Sequence, residues 1–143
     1  MLELVLERDI NQEPASSNPD YIAELNNVLY FSANDGINGA ELYQFDLSSE
    51  TAELVANVRP FETGSLISEV VAFDNKIYFN ARDGIGIDPY MYVHDPGDNS
   101  TQRLIDSQGA EIRRPANLFE FNGQLFLLLI FQTLIQNWVA MIL

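Results

Sequence analysis

The chain has 143 residues, 47% of them hydrophobic and 20% charged, so a disordered body is excluded and a folded core is expected. Its 21 acidic residues against 7 basic ones give a formal charge of −14, which repels phosphate backbones and anionic lipid heads and excludes nucleic acid as a partner. With no cysteine, disulfides, thiolate metal sites and cysteine nucleophiles are excluded as well.

The chain opens on Met1-Leu2-Glu3-Leu4-Val5-Leu6-Glu7-Arg8, which has neither a positive lead nor an adequate apolar stretch for a secretory signal. An exported form is therefore expected to carry its signal outside this chain. Leu4 to Ile10 corresponds to the run around Leu54-Val55 found 48 residues later, and 1–17 is read as the closing strand of a preceding repeat with its linker. The same spacing recurs along the chain. Leu25-Asn26-Asn27-Val28-Leu29-Tyr30-Phe31 returns after 48 residues as Phe73-Asp74-Asn75-Lys76-Ile77-Tyr78-Phe79, and after 48 more as Phe121-Asn122-Gly123-Gln124-Leu125-Phe126-Leu127. A fixed period of this size marks stacked units, each too small to bury its own apolar face.

One period contains four short runs, Leu54 to Val58, Ser68 to Phe73, Lys76 to Ala81 and Pro89 to His94, so four strands per unit are predicted. Asn26-Asn27, Asp74-Asn75 and Asn122-Gly123 supply the residues that tolerate positive φ in tight hairpins, and Asp35-Gly36 and Asp83-Gly84 do the same one hairpin later. In the third run Leu29, Phe31 and Ala33 alternate with Val28, Tyr30 and Ser32. Both faces carry apolar groups, which predicts a sheet covered on two sides by neighbouring sheets. The expected architecture is thus all-β, built of repeated four-stranded antiparallel sheets in the manner of β-propeller blades, and incomplete, since a propeller closes with four to eight blades. The first repeat is placed at 18–58, the second at 59–106 and the start of a third at 107–126.

The tail at 127–143 breaks the pattern with an apolar run, and three readings of it stand open. One is an amphipathic helix, because Gln132, Thr133, Gln136 and Asn137 share a helical face. Another is a membrane anchor, the 19 residues from Leu125 to Leu143 being long enough to span a bilayer, although no positive flank follows Arg114. The third is a frameshift in the gene near Phe126. Read from the third base of each codon, Asn137 into Trp138 gives Leu, Trp138 into Val139 gives Gly, and Met141 into Ile142 gives Asp, whatever synonymous codons are used. Gln136 into Asn137 gives only Lys or Glu, so acid, leucine and aspartate fall in register with Glu41, Leu42 and Asp46 two periods earlier. Sequencing the locus tests this reading, whose expected outcome is further repeats in the shifted frame.

Candidate chemistry is sparse. His94 is the single histidine and sits at a strand end beside Asp95-Pro96-Gly97, where an ordinary structural histidine is expected. Asn34-Asp35-Gly36-Ile37-Asn38-Gly39 has the oxygen-rich, glycine-broken look of a calcium loop, but it lacks the terminal bidentate acid, and a hairpin turn is favoured. Calcium is the one cofactor candidate. Asp95 to Ser100 reads as a loop on its turn chemistry alone. Tyr30, Tyr43, Tyr78, Tyr90 and Tyr92 could line a sugar-binding surface, although tyrosines in strands more often pack a core or its rim. No phosphate-binding glycine loop, paired-histidine motif or nucleophile elbow occurs in the sequence. No catalytic, cofactor-binding or metal residue is assigned.

Leu29 to Asp46, containing Asp35-Gly36 and Glu41-Leu42-Tyr43, resembles the bacterial ELWxxDGT repeat family, with Tyr43 in place of the usual tryptophan. Asp9-Ile10 and Leu54-Val55 stand in that family's closing strand, and Gly64-Ser65 matches the glycine-serine before the first strand of a unit. In the second copy Pro89-Tyr90-Met91 replaces the family's triplet. The resemblance implies a β-propeller-like repeat in a large secreted or surface protein without assigned catalytic residues. The expected function is a non-catalytic module for binding a protein or glycan, or for scaffolding. The alternative is a fragment of a propeller-type extracellular hydrolase or lyase.

Overall fold

The computed structural model describes residues 9–12, 14–60, 63–84, 87–129 and 139–142. Among them the chain forms strands and turns with no helix. β1 (Asp20–Leu25), β2 (Val28–Asn34), β3 (Ala40–Asp46) and β4 (Thr51–Ala56) make a four-stranded antiparallel sheet in chain order. β5 (Ser68–Phe73), β6 (Lys76–Ala81), β7 (Tyr90–Asp95) and β8 (Ser100–Arg103) repeat it. β9 (Pro115–Phe121), β10 (Gln124–Leu129) and β11 (Val139–Ile142) form a third sheet of three strands.

The first hairpin of each sheet turns on the residues that its sequence marks. Leu25 pairs Val28, Phe73 pairs Lys76 and Phe121 pairs Gln124, leaving two-residue loops. Both loop residues have positive φ in all three: 54° and 66° at Asn26-Asn27, 46° and 57° at Asp74-Asn75, 54° and 73° at Asn122-Gly123. That backbone matches the twist of the strands it joins, and asparagine, aspartate and glycine adopt it at low cost.

The described part of the tail is not helical. Val139–Ile142 is a strand that pairs antiparallel with β10, from Phe126 opposite Ile142 to Leu129 opposite Val139. A ladder is made by backbone groups, so an apolar tetrapeptide closes the third-strand position whatever its side chains. With Gln124–Leu129 also a strand, a helical anchor from Leu125 is ruled out, and among the described residues no helix is long and apolar enough to cross a membrane. The middle of the expected helix, 130–138, lies outside the described residues, as does the expected strand at Leu4 to Arg8. Two strand boundaries also differ from expectation. The run placed at Leu54 to Val58 is β4, three residues earlier in its start, and the second sheet's fourth strand is Ser100–Arg103. That polar edge strand carries no apolar alternation by which a sequence could announce it.

Packing explains the two-faced pattern. Tyr30 and Leu42 of the first sheet meet Val70, Ile77 and Phe79 of the second in one core. Tyr78 and Met91, on the opposite face of that second sheet, meet Leu118, Leu125 and Leu127 of the third. Odd positions of the second strand thus face back along the stack and even positions face forward. β1 packs beside β5, and β5 beside β9, so the first strands of successive units lie next to one another.

The backbone repeats more faithfully than the sequence. Tyr21, Glu69 and Asn117, spaced by 48 residues, have φ of 54°, 55° and 53° at a bulge in each first strand. Asn18, Leu66 and Arg114 have φ of 43°, 52° and 51° at the same spacing. Tyrosine, glutamate, leucine and arginine have no preference for this region, so tertiary packing imposes it.

One glycine is fixed by close approach. A Cβ on Gly64, whose φ is 61°, would lie 2.3 Å from the Ala40 backbone nitrogen and 2.6 Å from its carbonyl oxygen. Gly123 has a φ of 73° and nothing within 4 Å of a Cβ. Gly123→Ala should therefore cost only the left-handed penalty of about 1 kcal/mol, and Gly64→Ala at least about 3 kcal/mol in urea denaturation. Equal losses would contradict the close approach.

Candidate functional site

The acidic residues that promised chemistry are engaged in holding the chain to itself. Asp35 Oδ1 accepts the N–H groups of Ile37 at 2.8 Å and Asn38 at 2.7 Å, and its Oδ2 accepts the Asn38 side-chain amide at 2.7 Å. Although partial burial opposes them, these bonds hold the Asp35 carboxyl down to about 2. The loop from Asn34 to Gly39 is a hairpin turn whose carboxylate closes it. Asp95 likewise accepts the Gly97 N–H at 2.9 Å and pairs with Lys76 at 2.5 Å. Among the described residues no three histidine or acidic side chains converge as a metal would require.

Two glutamates that sequence reading did not single out for a role join the sheets. Glu41, 0% exposed, accepts the Ser65 hydroxyl at 2.6 Å and the N–H groups of Val58 at 3.0 Å and Arg59 at 3.2 Å. It thereby ties β3 to the connector between the first and second sheets. Glu69 does the corresponding work one unit on: its carboxylate accepts the N–H groups of Asn117 at 3.0 Å and Leu118 at 3.1 Å, at the bulge of β9. The available signal for Glu41 was its phase. It alternates with Ala40 and Leu42 in step with Tyr43 and Phe45, an inward position for a charged group.

The five tyrosines proposed for a sugar-binding surface are all buried, so they pack the sheets. Tyr90 is flanked by two guanidinium groups, Arg103 at 4.0 Å and Arg113 at 5.1 Å from its ring centre. Arg103 also pairs with Asp83 and Glu111, while its Nε donates to the Tyr92 hydroxyl at 3.2 Å. Burial first, and the Glu111 charge second, push the Tyr92 phenol up to about 12. His94 is 1% exposed, lies 6.0 Å from the Tyr30 ring across the first joint, and shares a 2.9 Å hydrogen bond between Nδ1 and Thr101. It stands where Phe45 stands in the first sheet, facing back along the stack.

A concave surface is open on the back of the first sheet. A cleft of about 490 Å³ is walled chiefly by Ile10, Ile22, Leu29, Phe31 and Phe45, with Glu50 at its acidic edge. Phe31, Ala33, Tyr43 and Phe45 form the buried floor beneath it. Such a surface offers apolar area and shape, with Ser17 and Glu50 as its polar lining. Compared with family models and with curated proteins, the sequence matches none.

Burial raises the Glu41 carboxyl above its ordinary 4.5, against the lowering effect of its hydrogen bonds to Ser65, Val58 and Arg59. It lowers the His94 imidazole below 6.5. The two have opposite consequences. The folded state holds the Glu41 proton more tightly than the unfolded state, so this contribution is full below 4.5 and is lost as pH rises through the raised value. His94 stays neutral while the unfolded chain protonates, so its contribution is full above 6.5 and is lost as pH falls through the lowered value. In denaturant titrations across pH, His94→Phe should remove the loss that begins at 6.5, and a slope unchanged by the substitution would contradict its burial. Glu41→Ala should cost about 2 to 4 kcal/mol at neutral pH, because three donors lose their acceptor.

Proposed function

We propose that the chain is a non-catalytic repeat module of β-propeller type that binds a protein or glycan, or scaffolds, within a secreted or surface protein of a bacterium. The observation that carries this reading is the division of labour between side chains. Asp35, Glu41, Glu69 and Asp95 are spent on turns and joints, while the cleft on the back of the first sheet is mostly apolar. A surface of that kind recognises by area and shape, as docking sites do. The stacked sheets support propeller-type blades, because the middle one is covered on both faces by its neighbours and successive first strands lie together.

The resemblance drawn from the sequence gains a physical reason. Glu41, Gly64 and Ser65 carry that resemblance, and in the fold they meet at one point: Gly64 against Ala40, Ser65 on the Glu41 carboxylate. A repeat that keeps this trio keeps the joint between its units.

The reading is tested on a glycan array probed with the labelled chain, alongside chromogenic glycoside substrates. Retention of a glycan or of a surface protein without turnover is the expected result. Turnover of a glycoside, or loss of arrayed sugar with time, would overturn the non-catalytic assignment.

A further inference from the structure

The two end faces of the stack are the two halves of the joint that the chain already makes twice. At the first joint, Ala23, Leu25 and Tyr30 on a forward face pack with Val70, Ile77 and Phe79 on a backward face. At the second, Val71, Phe73 and Tyr78 pack with Leu118, Leu125 and Leu127. Each residue of the second trio stands 48 positions after its counterpart in the first. Moving the forward trio on by another 48 gives Phe119, Phe121 and Phe126. Phe119 and Phe126 stack at 5.4 Å, and Phe119 and Phe121 are exposed. Moving the backward trio back by 48 gives Ile22, Leu29 and Phe31, which wall the open cleft.

Beside that cleft the chain is set as it is inside the stack. A Cβ on Gly36 would meet Asn11, and a Cβ on Gly84 would meet Arg59; both glycines and both partners are 48 residues apart. The first sheet is therefore dressed on its backward side as the second one is.

We infer that the occupant of the open cleft is a second copy of this chain, which docks its Phe119, Phe121 and Phe126 face onto the Ile22, Leu29 and Phe31 face, head to tail. This rests on the reading of the chain as stacked propeller-type blades. The contact is heterologous, since unlike faces meet. The charge of −14 on each copy opposes the approach, so association strengthens as salt screens it.

Sedimentation velocity on the full chain tests this with two variants of exposed side chains, Ile22→Glu and Phe121→Glu, both 65% exposed and so dispensable to the fold of one copy. Circular dichroism and melting confirm that each variant folds. The wild type is expected to dimerise, more tightly at high salt, and each variant alone to associate about tenfold or more weakly. A mixture of the two variants regains association, because one copy keeps an intact forward face and the other an intact backward face. A wild type monomeric at high concentration overturns the inference, as does either variant dimerising alone as well as the wild type, which would mean that like faces meet. A monomer that still retains a glycan or protein ligand without turnover leaves the binding-module reading standing. Turnover removes that reading whatever the state of association.

Discussion

Everything in this fold depends on sheets that cannot stand alone. Each is four short strands or fewer, with large apolar side chains on both faces, so it loses far more by exposing a face than its own ladder can return. The chain answers by placing the second sheet between the first and third, which buries Ile77 and Phe79 on one side and Tyr78 and Met91 on the other. The stack is held together by faces, and a stack of faces has two ends. The apolar back of the first sheet and the stacked phenylalanines of the third arise from the same rule that makes the middle stable.

Identical backbone geometry is reached at the joints by unlike chemistry. Between the first and second sheets a buried carboxylate, Glu41, gathers a serine and two backbone donors. Between the second and third, Tyr90 occupies the equivalent of Glu41 and has Arg103 and Arg113 against its ring, while Glu69 reaches across to the next bulge. What is preserved is the demand that buried backbone donors be met, since an unmet donor costs about 1 to 3 kcal/mol. Which side chain meets it is free to change. The positive φ at Tyr21, Glu69 and Asn117 shows the same economy: the bulge is kept although no residue type is.

That freedom sets what could be read from the sequence. The hairpin turns were legible because asparagine, aspartate and glycine are the residues that positive φ selects, and β5 and β6 fall where expected, at Ser68–Phe73 and Lys76–Ala81. The two-faced burial was legible in the alternation of Leu29, Tyr30 and Phe31. Ser100–Arg103 was not, because a polar edge strand is defined by its partner and carries no pattern of its own. The helical reading of the tail fails for a related reason: an apolar run of such length fits either period, and the free edge of β10 settled Val139–Ile142 as a strand. Glu41 and Glu69 were missed as joints because the backbone donors that they meet lie 17 to 49 residues away, beyond any local motif.

Among the described residues, the carboxylates that are buried or perturbed each have a structural duty. Asp35 closes its own turn, Glu41 ties a connector, and Asp95 pairs with Lys76. His94 is sealed between two sheets with its Nδ1 on Thr101. The cleft on the back of the first sheet offers a partner apolar area of a repeating shape, and shape that repeats along a stack is complementary to the stack itself. The same geometry that stabilises the middle sheet therefore specifies the surface that best covers the ends.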